Sequence, residues 1–276
     1  MRVKDLDDQW LVRAHLFGIY ETDEDGKVYV PAPQDPSRRL EAHVIQESID
    51  QSIAFLETFF DASIRYRERI TEYHDYDRDT YEDFFTVMTR KYPVVKVHSM
   101  QVVYGEGGSV IWDIPSEIIQ KHGIGSKFGM LQVLPKWGVP HNYDPAYALL
   151  FPGIVRAHHA PSMIKLVYDA GMDGITHPDD EQLIHLDDDV VRAISLRSAI
   201  HIFNILGDIV LGAGVASFST SVDGVSQSIS TTSSAENAAY SSRIIMHRKE
   251  LFGEQGVPGL LETLQKKWRR PSLGLL

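Results

Sequence analysis

The sequence predicts an α+β fold in which helices at both ends of the chain enclose a small inserted β domain. Residues 40–60 carry apolar side chains at helical spacing, and residues 93–114 are rich in β-branched side chains. A long apolar helix at residues 190–211 is followed by two short alternating strands. The predicted domains are an N-terminal helical part (1–92), the β domain (93–172) and a C-terminal helical part (173–276).

The composition is that of an ordinary globular protein with an acidic charge balance. Hydrophobic residues make up 43% of the chain and charged residues 24%, and the formal net charge is −11. A charge of this sign disfavours a phosphate-binding surface as the main function. The absence of cysteine excludes a disulfide framework, a thiolate nucleophile and a cysteine-ligated zinc site, and it fits folding in a reducing cytoplasm.

The N-terminal part is predicted to contain two helices. The first covers residues 5–17, and an extended proline-containing connector follows the acidic turn at residues 22–26. Asp35 and Pro36 then predict the start of the second helix, with Asp as the cap and Pro at the first helical position. Its predicted apolar face consists of Leu40, Ile45, Ile49, Ile53, Leu56 and Phe60.

Residues 66–92 are aromatic and acidic, and we interpret them as a solvated connecting loop. Asp75, Asp77 and Asp79 resemble the opening of an EF-hand calcium loop. However, Thr80 and Thr86 occupy the positions that require glycine and glutamate, so only adventitious cation binding is left open here.

The β domain is predicted to contain four strands. They lie at residues 93–104, 109–114, 128–134 and 162–168, and a glycine turn at 105–108 joins the first two. In the last strand Ile164, Leu166 and Tyr168 are expected on one face. The proline- and histidine-containing residues 135–161 are expected to be irregular.

The long C-terminal helix begins after three acidic residues, 187–189, which suit a positive helix N-terminus. Its continuous apolar character predicts burial on several sides. Charged and polar residues within it are costly at a bilayer centre, so we expect a buried helix and no membrane contact. These residues are Arg192, Arg197, His201 and Asp208.

A β-hairpin is predicted directly after this helix. Asp223 and Gly224 favour a two-residue type I′ turn, which pairs Val222 with Val225, Thr220 with Gln227 and Phe218 with Ile229. The other face is then serine opposite serine: Ser221 with Ser226, Ser219 with Ser228 and Ser217 with Ser230. Because such a ribbon is marginally stable alone, we interpret it as an arm that lies on another chain.

Two more helices are expected near the C-terminus. Ser233 and Glu236 form a capping box that predicts a helix start, and this helix ends at Gly253, Gly256 and Pro258. A last helix begins near Leu260, and its end carries the basic residues Lys266, Lys267, Arg269 and Arg270.

No set of residues predicts catalysis, a cofactor site or a metal site. Gly207, Gly212 and Gly214 resemble a dinucleotide loop, but they close a helix and precede a strand, which is the reverse of the required order. The histidines lack the spacing of a metal hydrolase, and no serine lies in a nucleophile elbow. A nucleotide-binding enzyme using the glycines and a DNA-binding protein using residues 266–270 remain alternatives.

The order of these features resembles the head-to-tail adaptor (connector, or neck) proteins of tailed bacteriophages, in the long form with a β domain inserted in a helical frame. The matching stretches are LVRAHLFGI, AHVIQESIDQSIAFLE, the DYD segment before Pro93, KLVYDAG, and the serine-rich block from Gly207 to Ile244. The resemblance covers most of the chain except the middle of the β domain.

This resemblance implies a structural virion protein without enzyme activity, assembled in the host cytoplasm. Such proteins form a homo-oligomeric ring, usually twelvefold, beneath the portal protein, with further neck or tail-terminator proteins below and double-stranded DNA passing through the lumen. The resemblance implies contacts with the portal or neighbouring subunits through the hairpin and the C-terminal segment. The implied contact residues are Phe218, Thr220, Val222, Asp223, Gly224, Val225, Gln227 and Ile229, together with Trp268, Arg269, Arg270 and Leu273. A tail or baseplate component is the alternative within the same class.

Overall fold

The computed structural model describes residues 21–22, 24–25, 28–32, 35–77, 85–120, 127–133, 159–172, 187–211, 217–222, 225–230 and 240–268. Over these residues the fold is mixed α+β, with four helices and several small antiparallel sheets, as the sequence predicts. The chain divides into two units. The helical unit comprises Met1–Phe59 and Asp187–Lys267, and the sheet unit comprises Phe60–Leu186 and Trp268–Leu276.

The secondary structure of the described residues runs as follows in chain order: β1 (Glu21–Thr22), β2 (Val28–Ala32), β3 (Asp35–Leu40), α1 (Ala42–Phe60), β4 (Arg67–Asp77), β5 (Phe85–Met88), β6 (Val94–Val103), β7 (Val110–Ile114), a 3₁₀ turn (Ser116–Ile118), β8 (Ile119–Gln120), β9 (Met130–Val133), β10 (His159–Ala170), α2 (Asp188–Leu211), β11 (Ser217–Val222), β12 (Val225–Ser230), α3 (Ser241–Phe252), β13 (Gly253–Glu254), β14 (Val257–Pro258) and α4 (Leu260–Trp268).

The apolar face predicted for α1 is confirmed, but the start of this helix is not. All six residues of the predicted face are buried, five of them on α1 and Leu40 on strand β3. Asp35–Leu40, however, forms strand β3, with Leu40 opposite Val30 and Arg39 opposite Pro31 of β2. The helix therefore begins at Ala42, because pairing with β2 overrides the local cap signal of Asp35. β3 is an edge strand, where proline is tolerated.

Small side chains bring α1 and α2 into contact. The hydroxyl of Ser198 donates a 2.7 Å hydrogen bond to the Ile194 carbonyl within α2 and lies 3.1 Å from the Ser52 hydroxyl of α1. Both serines are fully buried. Beside them the guanidinium of Arg197 lies 3.6 Å from the ring centroid of Phe55, a cation–π contact. Burial lowers the pKa of this guanidinium.

The burial of α2 on several sides is confirmed, and the helix starts at Asp188, within the acidic triplet that was predicted to precede it. Asp187 caps the helix, since its carboxylate accepts from the Asp189 N–H at 3.2 Å and its carbonyl from the Val191 N–H at 3.0 Å. Most of the helix is buried against the rest of the protein. By length and composition α2 could cross a membrane, yet 72% of that stretch is buried inside the fold, which is also the pattern of a core helix.

The two C-terminal helices match the prediction except at the start of α3, and the β13–β14 hairpin between them was not predicted. Helix α3 begins at Ser241 with Tyr240 at its cap position, later than the capping box predicts. Gly253 and Gly256, with φ of 87° and 81°, then turn the chain into the β13–β14 hairpin, and α4 follows. Glycine is suited to both positions because other residues rarely adopt positive φ.

Two antiparallel sheets form the sheet unit. One has the strand order β4-β10-β6-β7, and the other has the order β5-β9-β8. Their apolar side chains share one core, in which Met100, Leu131, Leu166 and Tyr168 are completely inaccessible to solvent. The four strands predicted for the β domain are all present, and Ile164, Leu166 and Tyr168 share a buried face of β10 as predicted.

The interpretation of residues 66–92 as a connecting loop is wrong for much of its length. Arg67–Asp77 is the eleven-residue strand β4, and Phe85–Met88 is β5. β4 pairs with β10 over most of its length, for example Glu72 opposite Leu166. The sheet unit therefore begins at Phe60, ahead of the predicted boundary at residue 93. The sequence did not predict β4 because its composition is acidic and aromatic and its partner strand, β10, is distant in sequence.

Several sequence predictions lie outside the described residues, among them the helix at residues 5–17, most of the irregular stretch at 135–161, and the capping box at Ser233 and Glu236.

Candidate interaction site

The β11–β12 hairpin has the register that its sequence predicts. Val222 is opposite Val225, Thr220 is opposite Gln227, and Phe218 is opposite Ile229, with serine pairs in between. Within the described residues, β11 and β12 pair only with each other. The predicted turn residues Asp223 and Gly224 lie outside the described residues. The structure thus brings six of the eight predicted hairpin residues into one ladder.

The register determines which backbone groups the hairpin offers to a partner. In a hairpin closed by a two-residue loop, the residues that flank the loop form a hydrogen-bonded pair, and such pairs alternate along the ladder. Val222 and Val225 are this first pair. The N–H and C=O groups of the intervening serines therefore point to the two outer edges. These serines are Ser217, Ser219 and Ser221 on β11, and Ser226, Ser228 and Ser230 on β12.

The predicted C-terminal contact residues are only partly described. Trp268 is the last residue of α4, and Arg269, Arg270 and Leu273 lie outside the described residues. The two lysines that precede Trp268 are engaged within the protein. Lys266 forms an ion pair with Glu262 at 2.8 Å, and Lys267 forms one with Asp187 at the start of α2. These pairs place the two lysines in a charge cluster at the end of α4.

Apolar side chains are exposed on the helical unit beside the C-terminal hairpin. Ile245 and Met246 of α3 and Phe252 at its end are 43–55% exposed, and Val257 of β14 is 64% exposed. Exposed apolar side chains of this kind can contribute area to a protein–protein contact. The helical unit therefore offers apolar contact area in addition to the hairpin.

The sheet unit has an open edge at β7. Among the described residues this strand pairs only with β6. Tyr104 and Val110, which flank the β6–β7 turn, are 70% and 51% exposed. At the opposite edge of the same sheet, β4 carries many charged residues, which discourage strand pairing. β7 contains one charged residue, Asp113.

A buried carboxylate, Glu72, is a site residue that sequence reasoning missed. Its Oε1 accepts a 2.6 Å hydrogen bond from the hydroxyl of Tyr168, and its Oε2 accepts one of 3.0 Å from the Arg90 N–H. His74 Nε2 lies 3.1 Å from the same Oε2. Burial by itself raises the pKa of Glu72, but the hydrogen bonds from His74, Tyr168 and Arg90 more than offset it. The pKa therefore lies below its ordinary value.

Asp169, the residue after Tyr168, is the second buried carboxylate that was missed. Its Oδ1 accepts from the Arg69 N–H at 2.7 Å and lies 2.8 Å from His98 Nε2, and its Oδ2 accepts from the Tyr66 hydroxyl at 2.9 Å. Burial raises the pKa of Asp169, and these hydrogen bonds lower it below its ordinary value. The sequence signal was an Asp directly after Tyr168, at the YDA end of a strand with the apolar residues Ile164 and Leu166.

Both carboxylates act as structural links between strands. General acids and bases tend to have a pKa near the working pH, whereas these two groups are held ionised by several donors each. Glu72 joins β4 to β10 and to the segment before Tyr92, and Asp169 joins β10 to β4 and β6. Together they hydrogen-bond three strands and the segment before Tyr92.

The described part of the acidic segment, up to Asp77, lies on strand β4. Asp75 lies on β4, where its Oδ1 accepts from the Ser162 N–H at 2.8 Å and its Oδ2 lies 3.5 Å from His159 Nε2. Asp79 is outside the described residues. No group of three or more His, Asp or Glu residues that could hold a metal ion occurs within the described ranges.

The glycine and histidine candidates are also partly described. Gly207 lies within helix α2, and Gly212 and Gly214 are outside the described residues. A dinucleotide loop requires its first glycine between a strand and a helix, so Gly207 does not occupy such a position. Burial and the nearby charge of Arg197 lower the pKa of His201 on the same helix.

Comparison with models of known protein families finds no match for this chain, and comparison with curated proteins finds none either.

Proposed function

We propose that this protein is a structural virion component of a tailed bacteriophage, a head-to-tail adaptor that forms a ring beneath the portal. The observation that carries the proposal is the β11–β12 hairpin, a two-stranded ribbon with no other strand partner among the described residues. Such a ribbon is marginally stable by itself in water, and a further strand would satisfy the backbone groups along its edges.

Strand addition between copies also provides a route to a ring. A contact between two different surfaces of the same chain is heterologous, and its repetition by rotation closes a ring. The exposed apolar residues of the helical unit, such as Phe252 and Val257, offer additional area for that contact. The order of features along the sequence resembles that of phage adaptor proteins with an inserted β domain.

The charge and internal bonding of the chain suit a passive conduit for DNA. A net charge of −11 repels the phosphate backbone, which favours passage of DNA without retention. Lys266 and Lys267 are paired with acidic residues of the same chain. The buried carboxylates Glu72 and Asp169 link strands of the sheet unit through hydrogen bonds.

The first test is the assembly state and partner of the full chain. We expect rings in negative-stain images and by light scattering, and we expect these rings to bind portal rings from the same phage. Tail tubes from that phage are tested in parallel as the alternative binding partner. Exclusive binding to tail tubes would make the protein a tail component, and a monomer that binds neither would contradict a virion role.

The second test removes the hairpin. Replacement of residues 218–229 by a Gly–Ser linker of the same length is expected to leave a folded subunit that no longer assembles. Thr71→Val, which places a strand-favouring side chain at an exposed position of β4, is the control and is expected to assemble. Circular dichroism and thermal unfolding report the fold. If the linker variant assembles normally, the hairpin is not the intersubunit arm.

A further inference from the structure

The edge of β7 has the properties of a strand-binding site. It is open among the described residues, it contains the single charge of Asp113, and its first residue, Val110, is 51% exposed. Natural proteins normally block such an edge with charges, proline or a covering element. The edge strand β4 carries such charges. In the other sheet of the sheet unit, the edge strands β5 and β8 are shorter than β7.

Apolar side chains at this edge are incompletely covered. Ile111 and Trp112 of β7 and the nearby Ile118 and Ile119 are partly buried and pack against the core of the sheet unit. Trp112 and Ile114 lie opposite the buried residues Val102 and Met100, so they belong to the core face, whereas Asp113 lies on the other face. A strand added beside β7 would extend the core layer over Trp112.

The hairpin matches this edge in length, pattern and charge. Its strands have six residues each, against five in β7. In the sequence, serines alternate with a second set of residues that includes Phe218, Val222, Val225 and Ile229. In a strand added beside β7, these apolar residues can extend the core face of the sheet, and the serines can extend the face that carries Asp113. The only charged residue at positions 217–230 is Asp223. Copies of a chain with net charge −11 repel each other. Contact through two edges that carry so little charge avoids most of this repulsion.

We propose that the β11–β12 hairpin of one copy adds to the β7 edge of the next copy and so extends its β4-β10-β6-β7 sheet. The inference rests on the proposed ring and identifies the surface that the hairpin joins. Because the hairpin and β7 are different surfaces of the same chain, each copy donates one strand and accepts one, and the repeated contact can close a ring.

The test uses engineered cysteines, which the natural chain lacks. One variant carries Asp113→Cys, and four others each carry one hairpin change: Ser219→Cys, Ser221→Cys, Ser226→Cys or Ser228→Cys. Mixing the first variant with each of the others permits a disulfide only between different chains. Neighbouring strands place paired Cα atoms within disulfide range, roughly 4.5–5.5 Å. The serine position that forms the cross-link shows which strand of the hairpin, β11 or β12, lies beside β7.

Matched controls carry the cysteine on the other sheet edges. Thr71→Cys places it on an exposed position of β4, and Thr86→Cys places it on β5. We expect at least about tenfold more cross-linked dimer with Asp113→Cys than with either control, since disulfides form only at close range. A second measurement uses Val110→Lys, expected to weaken assembly about tenfold by blocking the edge, against Thr71→Lys as its control.

The outcomes separate this inference from the proposed function. Rings that form without a cross-link at residue 113, and that tolerate Val110→Lys, contradict the β7 contact and leave the adaptor proposal standing. Cross-links formed when one hairpin variant is oxidised alone would show hairpin-to-hairpin pairing, which also contradicts it. A chain that stays monomeric contradicts both proposals. Cross-linking at residue 113 with loss of assembly in Val110→Lys supports the β7 contact.

Discussion

The hydroxyl of Tyr168 donates a 2.6 Å hydrogen bond to Oε1 of Glu72, although the two residues are 96 positions apart. Tyr168 also accepts a 3.0 Å hydrogen bond from the Lys91 N–H, so its hydroxyl joins three segments of the sheet unit. Burial and the carboxylate of Glu72 both raise the pKa of Tyr168. The phenol therefore stays a donor, and the carboxylate stays an acceptor, at neutral pH.

Replacement of Glu72 by Gln is expected to destabilise the sheet unit. The amide group of Gln would present donors toward His74 or Arg90, where the carboxylate accepts hydrogen bonds, so at least one partly buried donor loses its partner. We expect a loss of about 2 kcal/mol in the free energy of unfolding. Urea unfolding at neutral pH measures it, and Glu68→Gln, at an exposed position of the same strand, is the control. Equal stability of the two variants would refute a structural role for Glu72.

The two buried carboxylates predict a loss of stability in acid. The folded-state pKa values of Glu72 and Asp169 are both lowered, from ordinary values of 4.5 and 3.8. The unfolded chain therefore binds these protons more tightly than the folded one. Their stabilisation is complete above the ordinary values and is lost as the pH falls through the lower folded-state values.

This pH dependence is measurable as the midpoint of urea unfolding between about pH 7 and about pH 3. The double variant Glu72→Gln, Asp169→Asn is expected to show a shallower decline than the natural protein. Asp113→Asn, at an exposed position, is the control and should keep the natural slope. An unchanged slope in the double variant would show that other groups control acid unfolding.

Gly171 is expected to tolerate no side chain. Its φ is +147°, and an added Cβ would lie 2.5 Å from the Arg65 carbonyl oxygen and 2.7 Å from Tyr66 Cα. Gly171→Ala is expected to cost about 3 kcal/mol in the free energy of unfolding, because backbone atoms must move. Gly107→Ala is the control, since φ there is +75° but the surrounding space is open. The control is expected to cost about 1 kcal/mol. Similar thermal shifts for both variants would contradict the predicted clash.

Gly224→Val tests the turn of the hairpin. The pairing of Val222 with Val225 leaves a two-residue loop, and a type I′ turn requires positive φ at both loop residues, which a β-branched side chain strongly disfavours. We expect a folded subunit with impaired assembly by light scattering. Ser226→Val places the same side chain on a strand position and should preserve the hairpin fold. Normal assembly of Gly224→Val would show that the turn is not type I′.

Sequence periodicity predicted the features that depend on neighbouring residues. The hairpin register follows from one Asp-Gly pair and strict alternation, and the buried face of α1 follows from helical spacing at Ile45, Ile49 and Ile53. The capped start of α2 follows from Asp187 and its acidic neighbours. Each of these signals lies within a few residues of the feature that it specifies, so local propensity and packing agree.

The sequence by itself therefore determined the α+β class, the main helices and the pairing within the hairpin. Only the tertiary structure decided that Asp35–Leu40 is a strand, that the acidic segment Arg67–Asp77 pairs with β10, and that Glu72 and Asp169 are buried. The physical reason is that these states depend on distant partners. Asp169 accepts hydrogen bonds from Arg69 and His98, which lie 100 and 71 positions away in the sequence. Hydrogen bonds between residues so far apart produce no periodic pattern in the sequence.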